Sequence, residues 1–206
     1  MEYRIRYAIN AHKASTIPLI IFLMYYYGNF TIGPYIYFAL HGTYCSLWLL
    51  KECYFPDKSF DRLFHPALLV GMYLTLGTYW VSPFLLIRSG LQPSPAVICL
   101  AVSLHIFGIF SHFCGDCQKY YTLKYHKGLI QEGLFSQSRN INYLGEILIY
   151  LSFNLLAQHW LPFLLQAVFI AFVFYPSMRA KDQSLSRYEE FKLYKNKTWL
   201  LLPKLL

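Results

Sequence analysis

An all-α, multi-pass membrane bundle of about six helices is the fold this sequence predicts, and three observations carry that prediction. Hydrophobic residues fill 56% of the 206 positions and charged ones only 14%, against roughly 25% charged in a soluble domain. Aromatic residues reach 19%, as expected where Tyr and Trp line membrane–water interfaces. Of the 18 Lys and Arg residues, all but Arg88 fall in segments that six spans would place on one side. That asymmetry puts both termini on the same, basic side. The net charge of +8 therefore reads as a basic membrane face. Nucleic acid is excluded as a partner, since a chain this apolar cannot hold an exposed basic stripe in water. No stretch alternates as a membrane barrel strand does.

Taken in order, the basic opening Met1–Lys13 leads into the apolar run Ala14–Tyr27 without a small-residue cleavage site, which reads as a retained first span. Further spans are expected over Pro34–Leu50, Pro66–Ile87, Pro95–Phe113, Tyr143–Ala157 and Leu161–Met178. The last two are separated only by Gln158-His-Trp160 and are expected to form a tight hairpin. Residues 1–206 thus read as a single integral membrane domain. The sequon Asn29-Phe-Thr31 hugs the membrane and is expected to stay unmodified. Lys51 and Glu52 close the second span, where long charged side chains ordinarily snorkel to the interface. His41, His105 and His112 lie within spans and are expected to pack against partners in the bundle. The five cysteines are odd in number and include one CxxC pair, Cys114-Gly-Asp-Cys117. Neither a disulfide framework nor a metal site is expected from them.

The stretch Gly133–Tyr150 takes a polar loop into an apolar helix within a few residues. In that helix Asn142 and Glu146 are four apart and share a face. A carboxylate one turn inside a span is costly to desolvate unless it is paired or binds something, so Asn142 and Glu146 are expected to line a polar cavity with Arg179. A capping carboxylate favoured by the helix dipole is the simpler local reading. Three polar segments, beginning at Cys114, Arg139 and Arg179, lie on the basic face. Their cations suit phosphates and their rings suit a nucleotide base; anionic lipid headgroups would suit the same cations.

Several motifs stand in a fixed order here. They are Asp116-x-Gln-Lys119, Gly133-Leu-Phe-x4-Arg-Asn-x-Asn-Tyr-Leu-Gly-Glu146, Arg179-x-x-Asp182, and a tail with Tyr188, Tyr194 and Leu201-Leu-Pro203. Together they resemble the steroid 5α-reductase C-terminal domain, in particular its DUF1295 group, and more distantly the isoprenylcysteine and phospholipid methyltransferases. The resemblance covers about residues 107–203, a nucleotide-binding half. It implies a membrane-bound NADPH-dependent reductase of a lipid or sterol-like enone, an oxidoreductase acting on a CH–CH group. Carried over, Asp116, Asn142, Glu146 and Arg179 would contact the cofactor, with Lys119, Arg139, Tyr143 and Asp182 in support and Glu146 also the candidate catalytic group. Gln183 and Arg187 stand where the reductases carry His and Tyr, and Ile141 replaces the usual loop Pro.

In the methyltransferase branch the loop reads Arg-His-Pro-x-Tyr and the ligand is S-adenosylmethionine; Arg139-Asn-Ile-Asn-Tyr143 lies closer to the reductases. The remaining alternative is a catalytically inactive member serving as a structural subunit of a large membrane complex, its tail Lys192–Leu206 docked on neighbouring proteins. Membrane lipids are expected partners in every case, in the endoplasmic reticulum or the mitochondrial inner membrane.

Overall fold

The computed structural model describes residues 2–204; Met1, Leu205 and Leu206, and with them the two ends of the expected spans-and-tail scheme, lie outside the described residues. The chain is helical nearly throughout. Helices α1 (Ile5–Tyr27) and α2 (Ile32–Tyr54) are followed by α3 (Pro66–Gly77), α4 (Val81–Ser89), α5 (Pro95–Ile109) and α6 (Gly115–Tyr125). The remainder is α7 (Ile141–Ala157), α8 (Trp160–Phe169), α9 (Tyr175–Leu185) and α10 (Phe191–Lys197). Among the described residues the one strand pairing is a two-residue antiparallel ribbon, β1 (Tyr3–Arg4) against β2 (Leu63–Phe64).

Several of these helices join into longer rods. A 3-10 turn links α3 to α4, and π-helical turns at Phe110–Cys114 and Ile170–Phe174 link α5 to α6 and α8 to α9. The resulting rods Pro66–Ser89, Pro95–Tyr125 and Trp160–Leu185 are long and apolar enough to cross a membrane, because a span needs about 20 residues. Helix α7 is apolar but shorter. The α7–α8 hairpin turns at Gln158, which takes φ +49°.

Two compact units make up the chain. The first runs to Ser103 and includes Leu151–Leu165. In it α1 packs along α2, α3 and α4, with Ile20, Tyr37, Tyr44, Leu86, Phe153 and Leu156 at its core. Polar side chains buried there are mostly tied to one another. Ser82 Oγ lies 2.9 Å from Asn154 Oδ1, and His41 stacks on Phe153 while its Nδ1 meets the Tyr37 hydroxyl at 3.0 Å. The sequon amide is tied down too, with Asn29 Nδ2 donating to the Ile87 carbonyl at 2.8 Å. One expectation fails here. Lys51 does not snorkel, since it is only 2% exposed, held beneath the ring of Phe60.

The second unit comprises Leu104–Tyr150 and the chain from Gln166 onward. Here α5 and α7 cross at glycines. A Cβ on Gly108 would come within 2.8 Å of the Gly145 carbonyl oxygen, and one on Gly145 would strike the His112 backbone. Only residues without a side chain allow two membrane helices to approach so closely. That crossing sets the first π-helical turn against the start of α7.

Candidate functional site

The polar end of the second unit is assembled from three pieces, and the loop between α6 and α7 is the first. Gln118, on α6, donates from Nε2 to the Glu132 carbonyl at 2.9 Å and accepts from the Leu134 amide at 3.1 Å. Between them Gly133 takes φ +58°, and a Cβ there would come within 2.8 Å of Gln118 Oε1. The spacing Asp116-x-Gln…Gly133-Leu-Phe is therefore a physical unit, an amide clamping a left-handed turn that only glycine fits.

The tail is the second piece. Residues 137–140 and 194–204 exchange main-chain and side-chain hydrogen bonds along their length. The Arg139 amide donates to the Trp199 carbonyl at 3.1 Å, and Trp199 and Lys204 amides return to the Gln137 carbonyl at 3.3 and 3.1 Å. Ser138 Oγ donates to the Leu201 carbonyl at 2.7 Å, Asn140 Nδ2 to that of Leu200 at 2.8 Å, and the Tyr194 hydroxyl to that of Phe135 at 2.8 Å. Burial pushes the Tyr194 phenol up to about 12, with Arg139 opposing and Asp182 reinforcing that shift.

Arg139 is the rivet of this clasp. It is 5% exposed and meets Asp182 through both arms, Nε to Oδ1 and an Nη to Oδ2, each at 3.0 Å. Its remaining Nη donates to the Thr198 carbonyl at 2.7 Å and to the Thr198 hydroxyl at 3.1 Å. Two parallel charge-assisted bonds, with the remaining Nη held by Thr198, fasten α7, α9 and the tail together. Lys181 adds a bond from Nζ to the Arg139 carbonyl at 2.7 Å.

Three residues after Arg139 comes the third piece. Asn142 Nδ2 donates to Asp116 Oδ1 at 2.9 Å, and the Asn142 carbonyl meets His112 Nδ1 at 3.1 Å. Asp116 is 7% exposed and His112 3%. The carboxylate fixes the amide's orientation, since its oxygen would repel Asn142 Oδ1. The consequence is a directed acceptor: Asn142 Oδ1 is buried and finds no donor among the described residues. His112 lies within the π-helical turn that precedes Asp116, and such turns recur at functional sites.

The expected site residues thus divide. Asp116 with Asn142, and Arg139 with Asp182, are brought into direct contact. Tyr143 packs edge-on against Phe174 in the second π-helical turn, ring centroids 5.0 Å apart. Lys119 and Glu146 are half-buried, while Arg179 is exposed on α9. Ser138, Asn140, Tyr194 and Thr198 were not singled out in the sequence as site residues. Asn140 and Tyr194 lay inside the recognised motifs, but nothing in their spacing marks the carbonyls they bond.

These elements define a class: a helical protein with rods long and apolar enough to cross a membrane and a polar end closed by its own tail. Within that class the family model for DUF1295, a protein family of unknown function, matches residues 68–198, well over half of the chain, and the chain belongs to that family. The match begins in α3, upstream of the motif-bearing half. No curated protein matches the chain.

Proposed function

We propose that this protein is a membrane-bound NADPH-dependent reductase of a lipid or sterol-like enone, with the cofactor held at the polar end of the second unit. What carries the reading is Asn142 Oδ1, a buried acceptor that meets no donor among the described residues, on an amide locked by Asp116. A cofactor carboxamide or amino group is the kind of donor that completes such an atom. Lys119 and Arg179 neutralise phosphate. Arg139 and Asp182, spent on each other, hold the loop that presents Asn142. Glu146, half-buried one turn further along α7, would face the bound groups as the candidate catalytic carboxyl. NADPH, when bound, supplies the hydride that adds to the β-carbon of the enone. The enone's electron pair moves to its oxygen, and a proton from an acidic side chain or water then completes the saturated α-carbon.

The same proposal places six spans in the endoplasmic reticulum or mitochondrial inner membrane. Helices α1 and α2 are 23 residues each, about the length a span requires, and bury His12, Lys13, Thr16, His41 and Lys51. A second reading is a structural subunit of a membrane complex. Leu193, Trp199 and Leu202 on the clasped tail are 66%, 53% and 54% exposed, an apolar surface suited to a neighbouring chain.

The test is nucleotide binding by the purified full chain, with NADPH and S-adenosylmethionine side by side. Saturable NADPH binding is expected, weakened about tenfold in Asn142→Leu, the scale of one buried hydrogen bond. Binding of S-adenosylmethionine alone makes the chain a methyltransferase. Binding of neither leaves the structural subunit.

A further inference from the structure

The strap between α6 and α7 encloses a cavity that the proposed reductase chemistry does not use. It is a surface cavity of about 320 Å³, lined by Thr122 of α6 and by residues 126–132 of the strap. The sequence builds it in three steps. His126 ends α6, its amide donating to the Thr122 carbonyl at 2.7 Å. Gly128 then turns the chain at φ +148°, a conformation that side chains avoid. The Gln118 clamp on the Glu132 carbonyl and the Leu134 amide draws the far end of the strap back beside α6. Gln118 and Thr122 are four apart and share a face of that helix, so the strap returns along this face and the cavity lies between them.

The depth of the cavity follows from the rod that carries it. Pro95–Tyr125 is 31 residues long, about 46 Å of helix against a hydrocarbon core of about 30 Å. No Asp, Glu, Lys or Arg stands between Pro95 and Gly115, and Asp116, Lys119 and Lys124 follow. The uncharged part, about 20 residues, fills the hydrocarbon, and α6 leaves it at its first turn. Tyr121 and Tyr125 on α6 are 40% and 68% exposed. Lys124 Nζ sits 5.5 Å from the Tyr125 ring, and rings with long cationic side chains are what membrane interfaces favour. Gln118 lies about 10 Å nearer the hydrocarbon than Tyr125, so its clamp holds the strap at headgroup depth.

The lining is chemically two-ended. Lys127 supplies a cation and Glu132 a carboxylate; both are exposed, and among the described residues neither side chain takes an ion pair. Thr122 and His126 add hydrogen-bonding groups, and the half-buried Leu129 and Ile130 supply an apolar wall. One charge of each sign suits a ligand that carries one of each. A purely anionic headgroup would gain from Lys127 and lose to Glu132, since like and opposite charges at similar range offset one another. We propose that this cavity binds the headgroup of a zwitterionic phospholipid, its phosphate on Lys127, its amine on Glu132, and its glycerol end against Leu129 and Ile130. The proposal rests on the reading of Pro95–Tyr125 as a span, because only then does the strap meet lipid headgroups.

The full chain is purified in a nonionic detergent and titrated separately with phosphatidylcholine, phosphatidylethanolamine, phosphatidylglycerol and phosphatidic acid. Native mass spectrometry counts the lipid retained. The expected result is saturable retention of a zwitterionic lipid ahead of both anionic ones. Lys127→Gln weakens it about tenfold, the loss of one charge-assisted contact. Glu132→Gln weakens the zwitterionic lipids and tightens the anionic ones, a reversal that general attraction to a basic surface does not produce. Gln118 bonds the main chain of residue 132 and not its side chain, so both variants keep the strap, and thermal unfolding checks this.

Retention of an anionic lipid ahead of the zwitterionic ones in the wild type overturns the proposal, as does retention of no lipid. So does an unchanged preference in Glu132→Gln, or an equal loss on neutralising the exposed Lys58 and Arg62 of the first unit. Flotation of the chain with liposomes reports membrane insertion by itself. NADPH binding, measured in parallel, stays unchanged in both variants. A failure of the membrane or reductase reading is therefore told apart from a failure of this site.

Discussion

The two units treat buried cations in opposite ways. In the second, Arg139 is met by a carboxylate through both arms and by Thr198 through the arm that remains. In the first, Lys13 donates to the Tyr44 hydroxyl and sits over that ring, while Lys51 sits over the ring of Trp48, 3.9 Å from Glu52. A planar guanidinium can have all its directions filled by fixed acceptors, and once filled it is a fastener. An ammonium is a compact point charge without that planar fork, and over an aromatic face it is held by the ring's quadrupole. The contrast teaches that burial alone does not set how a charge is held; the shape of its head group and the groups around it do.

Removing one partner of the fastener is expected to have the largest effect. Asp182→Ala leaves Arg139 buried without its counter-ion and should cost about 3–5 kcal/mol, read as thermal unfolding in detergent and as new protease cleavage in Lys192–Lys197. A loss below about 1 kcal/mol, the scale of an exposed pair, would erase the contrast. Gly145→Ala comes next. Its methyl would strike the His112 backbone, and overpacking of this kind costs about 1–3 kcal/mol. Cross-linking of cysteines placed on α5 and α7 should slow as the helices part.

Tyr194→Phe sharpens the comparison from within the clasp. Losing the bond to the Phe135 carbonyl should cost about 1 kcal/mol. Burial raises this phenol from 10.0 to about 12, so the folded state favours its neutral form. The stability it contributes is therefore fully present below pH 10 and lost as pH rises through about 12. The Phe variant should lack that alkaline loss, which a wild-type and mutant unfolding series from pH 9 upward would show.

The smallest effect belongs to the other unit. Lys51→Met should change stability by no more than about 1 kcal/mol, since an apolar residue of similar volume replaces the buried ammonium and Glu52 keeps Arg6 at 3.7 Å as its counter-ion. A loss as large as that for Asp182→Ala would make the lysine a fastener as well.

Much of this was legible in the chain. The helical, membrane-type character follows from composition, because a run of apolar side chains near 20 residues has few other stable uses. The second unit's polar end was visible as ordered motifs, and within them Asp116 and Asn142 do meet. The partner of Arg139 was harder. Asp182 lies 43 residues away on α9, and the clasp depends on carbonyls of the tail, which carry no side-chain signal. The first unit misled for a related reason. Lys51 and Glu52 at the end of a span look like interface anchors, and nothing local tells that the turn at Lys58–Asp61 brings Phe60 over them.

Local sequence thus determined which segments are helices and that the polar residues gather in few places, since these depend on propensity and hydropathy that act within a few residues. Tertiary structure decided which charges are paired, which are buried, and which acceptor is left open at Asn142. Those depend on distances between segments far apart in the chain. Desolvation, which makes such charges matter, exists only once helices have closed around them.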